Sequence, residues 1–307
     1  MSRLRVPVAL LVLLAALALA GAGCAGGGGG SSVPTPTTLD ALADSARRSA
    51  DASSGRFAFT MDMSMTGFSE TLGFTGEGAF DTATGKTEMS LDLSAFFELM
   101  KGFAGSLGGG DAMGDLDADD FKIDAVLDGL VMYMRFPFLR DKVSGGKEWV
   151  KIDLRQAASK VPGLDLDQFL QFAQNGPQSS LDYLRAVSGP IEPVGVDEVR
   201  GVSATHYRTT IDMTKYANLV PEGSREQLRS MLDQLVRQTG LQQIPVDVWV
   251  GEDGLVRKLE LAMTMTQPGS TQSASATMRF EMFDYGKPVT IVLPLPSETA
   301  DVTSLTP

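Results

Sequence analysis

The chain has 307 residues, one Cys, one His and a formal net charge of −12. A single Cys excludes an intramolecular disulfide framework and Cys-rich zinc sites, and a single His excludes any chemistry that needs two imidazoles. The acidic balance argues against nucleic acid as a partner, because phosphate binding calls for clustered Lys and Arg. At 43% hydrophobic and 21% charged residues, the composition is that of a folded chain and not of a disordered one.

Residues 1–23 have the layout of a secretory signal. Arg3 and Arg5 form a basic start, and Val6–Ala20 is an apolar run of fifteen residues. Fifteen is short of the roughly 20 residues that a membrane-spanning helix needs. Gly21-Ala22-Gly23 then leads into Cys24. This resembles a bacterial lipoprotein signal, in which the Cys becomes the acylated first residue after cleavage; the large aliphatic residue usual three positions before Cys is replaced by Gly21. Residues 24–38 continue as Gly26–Gly30, two serines and Val33-Pro34-Thr35-Pro36-Thr37-Thr38. Gly/Ser runs are flexible and Pro-rich runs are extended, so the fourteen residues after Cys24 form a tether that would reach roughly 46 Å when fully stretched. Two acyl chains on Cys24 would give stable anchoring; ordinary secretion with a free Cys is the other reading. Cleavage before Cys24 removes Arg3 and Arg5 and takes the net charge from −12 to −14.

Residues 39–307 are expected to form one domain. Leu39–Ser53 has helical spacing at Leu39, Leu42 and Ala46. From Arg56 the period becomes two, with Phe57, Phe59, Met61, Met63 and Met65 on one side and Ala58, Thr60, Asp62 and Ser64 on the other, which predicts a half-buried strand. Further strands are predicted at Leu72–Phe80, Lys86–Leu93, Phe121–Leu127, Leu130–Phe136 and Glu148–Leu154, with Asp128-Gly129 as a two-residue hairpin turn. Helical spacing returns at Leu166–Gln174 and Ser179–Val187. Strands Glu192–Val199 and Val202–Met213 flank Arg200-Gly201. A capped amphipathic helix follows from Ser224 to Thr239, with Leu228, Met231, Leu232, Leu235 and Val236 as its stripe. Pro245–Val250, Leu255–Thr266 and Ser275–Phe283 complete about eleven strands, and Val289–Leu293 is a further candidate. Hairpin connections mean antiparallel pairing, which disfavours βαβ architectures. The expected fold is therefore α+β: one large curved antiparallel sheet with helices packed on its concave face.

Several short segments, in this order, resemble the actinobacterial lipoproteins of the LppX/LprG type, whose fold is related to the Lol lipoprotein carriers. They are the opening helix and long first strand, Asp128-Gly129 with Val131-Tyr133, and Trp149-Val150-Lys151-Ile152-Asp153. Gly201-Val202, Thr205-His206-Tyr207, Ile211-Asp212, Val246–Val250 and Asp253-Gly254 follow. The last are Phe283-Asp284-Tyr285-Gly286-Lys287-Pro288-Val289 and Ile291–Pro294. The resemblance implies a half-open antiparallel barrel with helices in its mouth and an apolar cavity between them for lipid or glycolipid acyl chains. It carries over no catalytic residue and implies no cofactor.

The residues themselves bear on that expectation. Eleven of the fifteen Met residues fall within predicted strands, where β-branched and aromatic side chains are usual. Met adapts its shape to varied apolar partners. Phe57, Phe59, Met61, Met63, Met65, Met132, Met134, Leu261, Met263 and Met265 are accordingly the cavity candidates, with plain core packing as the competing reading. Helices over the mouth would have to move, so Leu228, Met231 and Leu235 are lid candidates. Phe96, Met100 and Phe103, in the unusual segment Ser94–Asp120, are lid candidates too, the alternative being a surface insertion with one packed helix. Asp115-x-Asp117-x-Asp119 fails as a calcium loop: Asp120 stands where Gly is needed and Val126 where Glu is needed. No Gly-x-Ser-x-Gly elbow accompanies His206, which reads as a structural or surface histidine. The expectation is a non-enzymatic monomer without metal or cofactor, anchored through Cys24 on the extracytoplasmic face of the cell membrane. Its partners would be a lipid or glycolipid ligand and an envelope transporter. A cell-envelope interaction or sensor module with a filled core is the alternative.

Overall fold

Each of the eleven strands expected from period-two alternation up to Phe283 is a strand in the structure. The computed structural model describes residues 39–66, 71–98, 101, 117, 121–137, 145–159, 187, 189–212, 226, 229–230, 232–234, 236–237, 241–266 and 273–302. The first six strands are β1 (Ser54–Met65), β2 (Leu72–Asp81), β3 (Lys86–Asp92), β4 (Lys122–Asp128), β5 (Val131–Arg135) and β6 (Trp149–Asp153). The next five are β7 (Glu192–Val199), β8 (Val202–Asp212), β9 (Gln243–Gly251), β10 (Val256–Thr266) and β11 (Ser273–Phe283). They form two meanders, β1 to β6 and β7 to β11, each made of sequential antiparallel neighbours, and the two are joined where β1 pairs β11. The Asp128-Gly129 turn behaves as its type demands, with Gly129 at φ 59°, a region that costs a side chain dearly but not glycine.

Among the described residues the sheet has twelve strands, is curved and does not close. The twelfth departs from expectation in place and direction. Val289–Leu293 is not a strand; Pro288, Pro294 and Pro296 surround it, and proline cannot donate to a ladder. The chain instead passes a 3₁₀ turn at Pro296–Glu298 and forms β12 (Thr299–Asp301) parallel to β6. Thr299 lies opposite Trp149, the Val302 N–H donates to the Lys151 carbonyl at 3.1 Å, and the Lys147 ammonium donates to the Thr299 carbonyl at 2.8 Å. The sheet is thus mostly antiparallel, not wholly so.

Helix α1 (Leu39–Ala50) buries the stripe Leu42, Ser45, Ala46 and Ser49, residues spaced i, i+3, i+4, i+7 on one helical face. Small side chains at three of these positions let the helix sit close to β10. There Ser49 Oγ accepts the Val256 N–H at 2.8 Å and donates to the Ser45 carbonyl at 2.7 Å, while the Tyr285 hydroxyl donates to the Val256 carbonyl at 2.6 Å. Burial drives the Tyr285 pKa strongly upward, which keeps that phenol a donor. A short helix, α2 (Leu154–Ser159), follows β6.

Residues 226, 229–230, 232–234 and 236–237 are helical, as the Ser224–Thr239 pattern predicts; Leu232 is buried while Glu226, Arg229, Ser230, Gln234 and Arg237 are exposed. The lid candidates Leu228, Met231, Leu235, Met100 and Phe103 lie outside the described residues. So do Cys24, the tether, the helix predicted at Leu166–Gln174 and all of the helix predicted at Ser179–Val187 except Val187 itself. Val187 forms a single antiparallel bridge with Ile211.

Candidate functional site

Strand register decides which side chains meet, because directly opposed residues share a face of the sheet. From Phe57 on β1 the register runs through Gly78, Met89, Ala125, Met134 and Val150 on β2 to β6. From Met61 it runs the other way through Met278, Leu261 and Val246. Met63 lies opposite Ala276, which lies opposite Met263. Met132 shares the face of Met134, and Met265 that of Met263, each two residues along its strand. Nine of the ten cavity candidates therefore project from one face; the tenth, Met65, continues β1 opposite Ala274.

Burial divides this face. Under α1, Phe57, Phe80, Met282, Leu259, Val248 and Leu42 form one packed core, in which the rings of Phe57 and Phe280 stack at 5.8 Å. Leu261 belongs to that core, and Met132 and Met134 belong to a second one with Leu91, Ala125, Val150 and Leu154. Phe59 touches both cores. Further along the strands, Met61, Met63, Met263, Met265, Met278, Leu72 and Phe74 are only half-buried. These side chains make a contiguous methionine-rich surface on the side of the sheet that α1 also occupies. Leu72 and Phe74 belong to it although neither stands out in the sequence, their strand alternation being the available signal; Met278 is one of the eleven strand methionines but not one of the cavity candidates.

Two glycines shape the floor. The ring of Phe59 lies over Gly76 and that of Phe57 over Gly78, so closely that a Cβ at either position would overlap the ring. The two rings thus reach from β1 across β2. Phe74 meets Phe59 edge-on at 6.3 Å.

The opposite face is polar. Arg279 lies between Asp62, at 2.6 Å, and Glu260, at 3.1 Å, and these carboxylates hold its pKa up. A hollow of about 310 Å³ on this face is lined by Thr60, Thr75, Glu77, Ser90, Asp92 and Lys122 among others. Ala58, Phe59 and Gly76 complete its lining. His206 is also on the polar face and is buried. Its ring stacks on Trp249 at 4.2 Å, with Nε2 2.6 Å from Asp247 and Nδ1 3.5 Å from Asp197. Trp249 Nε1 donates to Asp197 at 2.8 Å, and the Lys258 ammonium covers the indole at 4.0 Å. Of the lid candidates, Phe96 is 42% exposed, while its neighbour Phe97 is buried and stacks on Phe121 at 3.9 Å. Among the described residues no group of three or more His, Cys, Asp or Glu is arranged to hold a metal, and no helix is long and apolar enough to cross a membrane.

The class defined by these features is an α+β protein built on one large, curved, unclosed sheet with an apolar and a polar face. No family model matches the chain. Over 162 residues it is 32% identical to an uncharacterized 31.2 kDa protein of the rplA–rplJ intergenic region of Streptomyces griseus, covering 52% of this chain and 49% of the relative. The chain thus spans about half the length of the curated relative it matches. Among solved structures it is similar to LprF from Mycobacterium bovis, with 14% identity, a TM-score of 0.41, and 85% and 99% of the two chains covered. It is also similar to the lipoprotein LppX of Mycobacterium tuberculosis, with 14% identity, a TM-score of 0.38, and 82% and 99% covered. A LolA superfamily protein from Nitrosomonas europaea is matched at 6% identity and a TM-score of 0.26, with 81% and 95% covered.

Proposed function

We propose that the chain is a membrane-anchored extracytoplasmic lipoprotein that holds lipid or glycolipid acyl chains against the methionine-rich half of its apolar face and shields or transfers them, without catalysis. The observation that carries this reading is the row of half-buried apolar side chains, Phe59, Met61, Met63, Met263, Met265 and Met278, beside two fully packed cores. Along β1 this face changes from buried core at Phe57 to half-buried side chains from Phe59 onward. Unbranched methionines suit acyl chains of differing length and saturation. The ordered motifs that resemble the LppX/LprG type agree with it, and Cys24 with its tether supplies the anchor.

Energetics favour exchange over capture. Burying acyl chain gains about 0.8 kcal/mol per CH₂ relative to water, on the order of 12 kcal/mol for sixteen carbons, and a bilayer offers a similar gain. Pick-up and release are then close to balance, and the protein supplies a path across water. An envelope transporter is the partner such a path would serve.

The test is organic-solvent extraction of the purified chain from Leu39 onward, which contains every described element, followed by mass spectrometry. The expected result is co-purified lipid at a near-stoichiometric ratio. A clean protein of unchanged stability would sink the carrier reading and leave the interaction or sensor module with a filled core.

A further inference from the structure

The apolar face changes its side chains where its cover ends. On β1 the sealed position is Phe57, 1% exposed, and the half-buried positions further along include Met61 and Met63. On β10 the sealed residues are Leu259 and Leu261, and the half-buried ones that follow are Met263 and Met265. β11 runs the other way and keeps to the pattern, with Phe280 and Met282 buried and Met278 half-buried. Met278 lies directly opposite Met61, and Ala276 lies between Met63 and Met263, so these thioethers share one patch. Met89, Met132 and Met134 project from the same face and are no more than 8% exposed.

Among the described residues, the methionine side chains of this face thus fall into two sets that differ in cover and not in chemistry. One set is open to small solutes and the other is sealed. A thioether has no proton to lose, so access decides which sulfurs a peroxide oxidises. In that reaction the sulfur lone pair attacks one oxygen of a hydroperoxide, and the O–O bond breaks as the S–O bond forms. The proton passes to the departing oxygen, which leaves as water or an alcohol. Sulfur is oxidised by two electrons and the peroxide is reduced by two. The product, methionine sulfoxide, is a polar side chain where an apolar one stood.

We propose that Met61, Met63, Met263, Met265 and Met278 form an oxidation site, at which a peroxide turns the acyl-binding patch polar and so releases its ligand. This inference rests on the acyl-carrier reading above. The side chains directly opposite these sulfurs include Phe74, Leu72, Ala276 and Leu261, and none of them offers a hydrogen-bond donor. An acyl chain laid over a sulfoxide there would strip its oxygen of water without replacing the hydrogen bond, which is costly. Leucine fills a similar volume and has no sulfur to oxidise. The sealed methionines keep both cores apolar, so the fold outlasts the change in the patch.

The test treats the full chain with hydrogen peroxide for increasing times and removes the oxidant by desalting. Each sample is divided between peptide mass spectrometry and titration with a dansyl-labelled fatty acid. Sulfoxide should form at the five half-buried positions at least about tenfold faster than at Met89, Met132, Met134 and Met282. Affinity for the probe should fall by about tenfold or more as the five are converted, while the thermal melt remains cooperative. With all five replaced by Leu, the affinity, whatever its starting value, should not move on peroxide treatment; should that variant fail to fold, the time course of the natural chain decides. Equal oxidation of the two sets overturns the proposal, and so does an affinity unmoved when the five are oxidised. Absence of probe binding before any treatment is a different failure: it removes the acyl-carrier reading itself, and the proposal with it.

Discussion

Gly78→Ala should destabilise the sheet more than Gly76→Ala, although both residues lie on β2 and on the same face. A Cβ at Gly76 would sit 3.1 Å from Phe59 Cδ1 and closer still to Cε1 and Cζ. Carbon contacts are optimal near 3.5–4.0 Å, so the ring has to swing away. Phe59 is a half-buried side chain and can do so, at the cost of its contacts with both cores. Overpacking of this kind costs about 1–3 kcal/mol, partly offset by about 0.4–1 kcal/mol from the stiffer unfolded chain. At Gly78 the new Cβ would lie 2.5 Å from Phe57 Cζ and closer still to the backbone carbonyl oxygen of Glu88. Phe57 is locked under α1, and the Glu88 carbonyl is part of β3, so two strands must separate. That places Gly78→Ala at about 3 kcal/mol or more. For a domain of 150–250 residues each kcal/mol moves Tm by about 2–4 °C. Thermal unfolding followed by circular dichroism should show a loss of about 6 °C or more for Gly78→Ala and roughly half that or less for Gly76→Ala. Combining Gly76→Ala with Phe59→Leu should cost less than the sum of the two, since the shorter side chain clears the Cβ. A Gly78→Ala protein melting within about 2 °C of wild type, or the reverse order of the two variants, would refute the seating of these rings on glycine.

Other consequences are as direct. Ser49→Ala removes the acceptor of the buried Val256 N–H and should cost about 1–3 kcal/mol in a denaturant titration, the penalty for an unpaired buried donor; an unchanged midpoint would contradict the pinning of α1. His206→Ala strips Trp249 of its stacking partner and leaves Asp197 and Asp247 without the imidazole. Hydrogen exchange at Val199 and Ala204 should then quicken at least tenfold, while β1 and β11 stay as they are; equal rates would show that the ring holds nothing. Glu88 has its pKa raised by burial, against the pull of Arg56. A folded-state pKa above the unfolded one means that ionising Glu88 opposes folding, a penalty fully present above both values and absent below them. Glu88→Gln should therefore raise Tm at pH 7 and lose that advantage as pH falls below the carboxylate range; a gain that persists at low pH would contradict burial as the cause. Cys24→Ala should move the protein from the membrane to the soluble fraction, and continued retention would contradict the anchor.

Much of the sheet was legible because alternation and turn chemistry agreed. Phe57 to Met65 alternate without a break, and Asp128-Gly129, Arg200-Gly201 and Asp253-Gly254 mark hairpins whose strands lie where they point. β12 was not legible. Three residues carry no periodicity, and its partner β6 is about 150 positions away, whereas Val289–Leu293 offered a better apolar run but is bounded by Pro288 and Pro294. The apolar face was legible in membership and not in depth. Phe57 and Met61 look alike in the sequence, yet one is sealed beneath α1 and the other is half-open, which depends on where a helix ends. Nothing in the sequence marks Gly76 and Gly78; their role shows only when the register sets Phe59 and Phe57 opposite them. His206 was unreadable for a similar reason: its two carboxylates come from β7 and β9, 9 and 41 positions away.

The central claim is that acyl chains lie on the methionine side of the sheet, and adjacent positions on β10 test it. Met263 is half-buried on the apolar face, and Thr264 is exposed on the polar one. Tryptophan is placed at each in turn, over the background of Trp149 and Trp249, and titrated with a fatty acid brominated on its acyl chain, a short-range quencher. The account predicts saturable quenching for Met263→Trp and none above background for Thr264→Trp. Equal quenching at the two positions, or none at either, would contradict it.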